Sequence, residues 1–411
     1  MALLTRRQAR LLLPLGTALA LSLTGDSTLY AVLPNQTATV GISLGAVGVM
    51  LGANRLIRIP GNILAGALND RLARRRLFLG GLTLGILSTV SYSLVHGFWP
   101  LLAARLLWGT AWALINVGGY TMVLDQSSAA DRGRLTGFYQ VSYMLGLAIS
   151  PILGGTLTDV LGFRPALRIC AAVSAVGLGV AYAALPETSP PLAQSSNRRL
   201  SLVALPETLG RIDRRIFMAG YIYLVVFFVS NGVLMSTISL YLGQRWGTDI
   251  SLGGIAIGIS SLAGVMLALR ASLGILGGPV AGILSDRLGN RWPVVRVALL
   301  LGVAGFAALT IAAGLWVVPT GVVLVSLSAG ALIAVLTAIV GDLTSGNQSG
   351  TTMGGIATAG DIGSAAGPLF AYVLASALEL RWIYLFCAAI LASCLLVTRG
   401  KGQQDALEQS D

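Results

Sequence analysis

Six charged residues lie deep inside otherwise apolar stretches of this 411-residue chain: Asp26, Arg55, Arg58, Arg105, Arg270 and Asp361. A charge at the centre of a helix in lipid costs about 2.5–3.5 kcal/mol, so each needs a partner or a wet cavity. The chemistry open to such a set is proton binding. Burial raises a carboxylate's proton affinity and a nearby arginine lowers it, so movement that changes an Asp–Arg distance changes proton occupancy. Asp26 is the expected proton carrier, Arg105 its partner, and Asp361 a second candidate; a static ion pair bracing two helices is the competing reading. Arg55 and Arg58, three apart, share a helix face. Four arginines against two aspartates leave a surplus of +2 in the interior, which suits an anionic or zwitterionic ligand. Tyr30, Asn116, Tyr143 and Asn231 are expected to join Arg55 and Arg58 around it, with Trp108, whereas Arg270 is expected to be structural.

The elements that must hold these residues are membrane helices. The chain is 55% hydrophobic and only 10% charged, where a soluble domain has about 25% charged residues. Stretches near 11–33, 43–68, 77–96, 99–124, 135–159 and 166–185 each suffice to span a bilayer, as do 216–242, 250–283, 293–313, 316–340, 350–377 and 381–398. The expectation is an all-α membrane protein of twelve helices: a six-helix bundle over 1–185, a linker over 186–215, a second bundle over 216–398 and a tail over 399–411. At about 1.5 Å rise per residue, all six interior charges fall in the middle to outer part of the bilayer. Of the 27 Lys and Arg residues, 19 lie in the termini, the linker and the even-numbered loops, and four in the odd-numbered loops. Positive residues stay in the cytoplasm, so both termini and the linker are expected there, in a cell (plasma) membrane. The opening MALLTRRQARLLLPLGTALALSL imitates a signal peptide, but its apolar run continues to Pro34 and reads better as a first spanning helix.

The chain is written twice. GALNDRLARR at 66–75 returns as GILSDRLGNR at 282–291, a shift of 216, and GVML at 48–51 returns at 264–267. A shift of 217 aligns Asp125, Gly146 and Pro151 with Asp342, Gly363 and Pro368. Copies on the same membrane side mean parallel repeats about an axis along the membrane normal, an architecture of transporters that alternate access to a shared cavity.

These residues resemble the major facilitator superfamily, over essentially the whole chain. Gly66, Asp70, Arg71, Arg74 and Arg75 are similar to its loop 2–3 signature GxxxDRxGRR, with Ala73 in place of a glycine; Asp286 and Arg287 stand in the second copy. The resemblance implies that the aspartate forms a charge relay latching the outward-facing state. Arg105 and Gly109 resemble the fourth-helix arginine motif found near the protonation site of proton-coupled members. Gly146, Pro151, Gly154 and Gly155 resemble the fifth-helix motif of the antiporter branch, with Ser150 where that motif has glycine. Nothing in the second half repeats Arg105, and that asymmetry points to chemistry rather than scaffold.

The resemblance and the charges together imply a monomeric, proton-coupled efflux antiporter of a small organic solute. Proton-coupled uptake of an organic anion and export of lipophilic drugs are the alternatives. A phosphate-binding GxxxxGK[ST] loop is absent and the single lysine, Lys401, sits in the tail, so an ATP-driven pump is not expected. One histidine, His96, and three cysteines outside any CxxC pair leave no metal, cofactor or catalytic triad to expect. The +11 charge lies in short loops between apolar runs, which argues against nucleic acid.

Overall fold

The computed structural model describes residues 4–128, 131–188, 214–252, 254–311, 314, 316–344 and 349–399. Most of the expected linker and all but the first residue of the expected tail lie outside these. Sixteen α-helices follow in order: α1 Arg6–Ser22, α2 Thr24–Val32, α3 Thr37–Val40, α4 Leu44–Leu56, α5 Arg58–Arg71, α6 Arg74–Leu94, α7 Phe98–Asp125, α8 Arg132–Leu161, α9 Phe163–Ala184, α10 Arg214–Val226, α11 Met235–Trp246, α12 Ile259–Leu288, α13 Trp292–Ile311, α14 Val317–Leu343, α15 Ser349–Ala375 and α16 Leu380–Arg399. A π-helix, Phe227–Leu234, joins α10 to α11. Among the described residues nine helical segments are long and apolar enough to cross a membrane. The other three expected spans are the α1–α2 pair, the α4–α5 pair and α15.

Both breaks have local causes, and both fall beside interior charges. The hydroxyls of Ser22 and Thr24 donate to the Leu19 and Leu21 carbonyls (2.8 and 2.9 Å). Such back-bonding competes with the helix ladder and bends it, and the chain turns at Leu23, just before Asp26. Pro60 has no N–H for the Leu56 carbonyl, so the second span breaks at Ile57, between Arg55 and Arg58. The break falls one turn before Pro60, where the carbonyl that lacks a donor lies. A correction concerns 250–283: residues Asp249–Leu252 and Ile255–Gly258 pair as an antiparallel hairpin, and the helix begins only at Ile259. Gly254, at φ +86°, makes the turn an L-side chain would resist.

The chain forms two compact units, Met1–Ala204 with Ile238–Ala268, and Leu205–Thr237 with Leu269–Asp411. In the first, α6 packs on α7 and α9, α1 and α2 on α8, and α4 and α5 on α7; in the second, α13 packs on α14 and α16, and α10 and the π-helix on α15. The same neighbours recur because the sequence repeats. Lipid gives helices no hydrophobic reason to associate, so close approach through small residues holds them. A Cβ on Gly146 would strike the Ala20 carbonyl, and one on Gly363 the Leu224 carbonyl.

Candidate charge cluster in the first unit

Helix α7 carries Arg105, Trp108, Trp112 and Asn116 along one face, at i, i+3, i+7 and i+11. Arg105 is 0% exposed and Asp26, on α2, 6%. Arg105 Nη1 donates to Asp26 Oδ1 at 2.6 Å, and Asn54 Nδ2, on α4, donates to the same oxygen at 3.1 Å. Arg105 Nε donates to the Met50 carbonyl at 2.9 Å, fixing the guanidinium against α4. Its face is covered by Tyr30 and Tyr92, whose ring centres lie 5.9 and 5.7 Å away. Buried Nη2 of Arg105 and Oδ1 of Asn54 have no hydrogen-bond partner. The fold places Asp26 against Arg105, the partner expected of it from the sequence. Asn54 and Tyr92 were not foreseen as members.

The second group adjoins the first through Tyr30. Arg55 Nε donates to Tyr30 Oη at 3.3 Å. Arg58, past the helix break, lies over the Trp112 ring at 5.2 Å, and Trp112 packs on Tyr143 of α8 with ring centres 5.4 Å apart. Side chains from α2, α4, α5, α7 and α8 therefore converge here. Asn116, one turn beyond Trp112, is half-buried.

The second unit holds the remaining interior residues. Arg270 Nη2 bonds to Asn231 Oδ1, and to Ser230 Oγ at 3.4 Å, both on the π-helix. Asp361 is half-buried on α15, beside Gly360, which faces the stacked Tyr223–Phe227 pair. The packing also reveals a register that sequence matching missed. Thr28 donates to the Ser150 carbonyl, and its counterpart is the Gly232–Gly367 approach; Ala20–Gly146 corresponds to Leu224–Gly363. Both pairs set the first helix against the seventh at a shift of 204, not 216, so Asp26 corresponds to Ser230. Asn54 corresponds to Arg270 at 216. One position pair thus carries amide and carboxylate in the first unit, guanidinium and hydroxyl in the second. A π-helix commonly marks such a functional deviation.

At the arginine-rich end, the expected latch residues are not paired as anticipated. Asp70 and Arg71 are exposed at the end of α5, and among the described residues neither makes a hydrogen bond or ion pair. The ion pair belongs instead to Arg74 and Asp125. The Arg75 N–H donates to Glu187 and its guanidinium to the Tyr182 carbonyl, while Thr188 donates to Asp125 at 2.9 Å. Sequence reading did not foresee that the chain after α9 docks on this loop. Ala73 adopts φ −58°, so this turn needs no glycine, whereas Gly289 in the second copy has φ +65°. There Arg291 bridges Asp286 and Asp342 at 3.0 and 2.7 Å, beside a cavity of about 530 Å³; Arg287 stays exposed.

The fifth-helix motif is a packing surface. A Cβ on Gly154 would strike Thr28, one on Gly155 the Ser260 carbonyl, and one on Gly264 the Pro151 carbonyl. At the end of the unit away from the arginine-rich loops, Asp159 accepts from the Ser261 N–H and Oγ, both at 2.6 Å, and from the Ser260 N–H at 3.3 Å, capping the start of α12. Asn35 donates to the Ser239 carbonyl at 2.9 Å. Neither residue carried a sequence signal, because each partner is about 100 or 200 positions away. The three cysteines are buried and free, and no group of metal-ligating residues occurs among the described residues.

The Major Facilitator Superfamily model matches residues 15–274 and 261–406. An uncharacterized MFS-type transporter of Mycobacterium tuberculosis is 28% identical over 291 residues, 70% of this chain and 37% of that protein, so this chain spans little more than a third of that relative. The inner membrane transport protein YajR of Escherichia coli is 27% identical over 179 residues, 43% of this chain and 38% of that one. Among solved structures, a bacterial homolog of the human lysosomal transporter Spinster, inward-facing and occupied, superposes with TM-score 0.75 at 17% identity, over 94% of this chain and 92% of the other. The human organic anion transporter MFSD10 gives 0.63 at 20% identity, over 96% and 100%.

Proposed function

This chain belongs to the major facilitator superfamily, and from that premise we propose that it exports a small organic anion or zwitterion in exchange for protons. It is a multi-pass membrane transporter and not an enzyme. The observation that carries the proton reading is the buried Asp26–Arg105 pair with Asn54 on the same carboxylate oxygen. The pair sits next to the break at Leu23 and is tied to α4 through Met50. Movement of α2 against α7 would separate the two charges, and a buried carboxylate without its cation takes up a proton. Substrate binding at Arg55 and Arg58, the first of them adjacent to Asn54 in the chain, is placed to drive that movement. Asp361, beside its aromatic pair, is the second proton candidate. Asp70 and Asp286 remain the proposed latch: with Asp70 unpaired here, its partner is supplied in another state of the cycle.

The protein acts as a monomer in the cell membrane with its arginine-rich end in the cytoplasm. On that orientation the Asp159 cap and the Asn35–Ser239 bond lie at the outer end of the first unit. Asp159→Ala removes three hydrogen bonds and a charge at a helix N-terminus, on the order of 1–2 kcal/mol. Loosening the cap should expose the first unit's interior about tenfold more often, read as faster labelling by an impermeant thiol reagent of a cysteine introduced at Tyr143; unchanged labelling would show that the cap does not control access.

Reconstituted protein with a trapped pH dye tests the function. An organic anion added inside should acidify or alkalinise the lumen only in the presence of protein, with a sign that separates antiport from symport. Anion movement with no accompanying proton signal would defeat the proton-coupled reading.

A further inference from the structure

We infer that Arg58 is the recognition residue for a planar aromatic monocarboxylate. The inference deepens the substrate reading of the site above and rests on it for the site's place in transport. Arg58 is cationic beyond the reach of any physiological pH, yet among the described residues it makes no ion pair, and its buried Nε has no acceptor. An unmet guanidinium donor in a buried site is costly, and a ligand carboxylate is the group that meets it, through two parallel bonds along the guanidinium edge. Asp26 is already held by Arg105 and Asn54, and Arg55 donates to the Tyr30 hydroxyl while keeping its charge. The one unmet buried donor calls for a single carboxylate, and the Arg55 charge repels a competing cation.

The aromatic character follows from what flanks that edge. The Arg58 guanidinium is laid over the Trp112 ring at 5.2 Å, and Trp112 meets Tyr143 at a 40° tilt with centres 5.4 Å apart. A carboxylate held at Arg58 therefore carries its tail onto a wall of two aromatic rings. Planar rings gain offset stacking there, and flexible chains do not. Asn116, one turn along α7 from Trp112, can bond a ring substituent.

The test is calorimetric binding to the purified full-length protein in detergent. The probes are 2-naphthoate, acetate, 2-naphthalenemethanol, naphthyl phosphate and a naphthyl trimethylammonium salt. 2-Naphthoate should bind at least tenfold tighter than each of the others. Arg58→Gln should weaken it about 10- to 100-fold, and Arg58→Lys, which keeps charge but loses the fork, by nearly as much. Trp112→Leu should narrow the naphthoate-to-acetate ratio by about tenfold. If Arg58→Gln does not fold, Arg58→Lys and Trp112→Leu decide. Tighter binding of the phosphate, the alcohol or the cation, or naphthoate affinity indifferent to Arg58→Lys, overturns the inference. Binding in Asp26→Asn separates the two claims. Arg58-dependent naphthoate binding without any proton signal sinks the coupling and leaves this assignment standing; proton-coupled flux of a different anion does the reverse.

Discussion

Asp26→Asn is expected to give a folded protein that binds substrate and does not respond to a proton gradient. The amide keeps the size of the carboxylate and an oxygen able to accept from Arg105 Nη1 and from Asn54, so the hydrogen bonds at 2.6 and 3.1 Å have a surviving acceptor. What the amide lacks is a titratable proton. Arg105, fully buried, loses its counter-charge, and the remaining bond is neutral rather than charge-assisted, a loss of roughly 1–3 kcal/mol. That should lower thermal stability without abolishing the fold. Gradient-driven accumulation should fall to background, while downhill exchange and binding at Arg58 stay within about threefold of wild type. Undiminished gradient-dependent flux in this variant would show that another group carries the proton, and Asp361 would be tested next.

Arg105→Ala should do more damage, and of another kind. It strands a carboxylate that is 6% exposed, removes the donor to the Met50 carbonyl, and empties the space between Tyr30 and Tyr92. Breaking one side of a buried ion pair costs about 3–5 kcal/mol, a large share of the roughly 5–15 kcal/mol that holds a domain folded. The expected result is low yield and a thermal midpoint reduced by roughly 5 °C or more. Combining Asp26→Asn with Arg105→Leu removes both charges and fills the gap, so it should recover most of the lost stability and none of the coupling. That sign difference is what distinguishes a working proton site from a brace. Were Arg105→Ala as stable as wild type, the pair would not be held as the structure shows it.

The sequence by itself determined the class, the doubling and the actors. Apolar runs long enough to span lipid fix membrane helices because an unpaired backbone cannot sit in hydrocarbon. The repeats at 216 and 217 are local identities, and Asp26, Arg105, Arg55 and Arg58 stand out because charges in such runs are expensive. Tertiary structure decided the contacts. Asp26 meets Arg105, the partner expected of it, across 79 positions, and Asn54 enters as a third member although an asparagine in an apolar run announces nothing. Arg74 rather than Arg71 takes an aspartate, because helix α7 ends with Asp125 there. Ser22 and Thr24 bend the first helix through hydroxyls whose acceptors exist only once a helix has formed, so they gave no breaker signal comparable to Pro60. The shift of 204 between the first and seventh helices shares no identical residue around Asp26 and Ser230, so only packing against α8 and α15 exposes it. Composition sets which solvent a segment prefers, but which side chains touch is set by how helices cross, and that depends on small residues far apart in the chain.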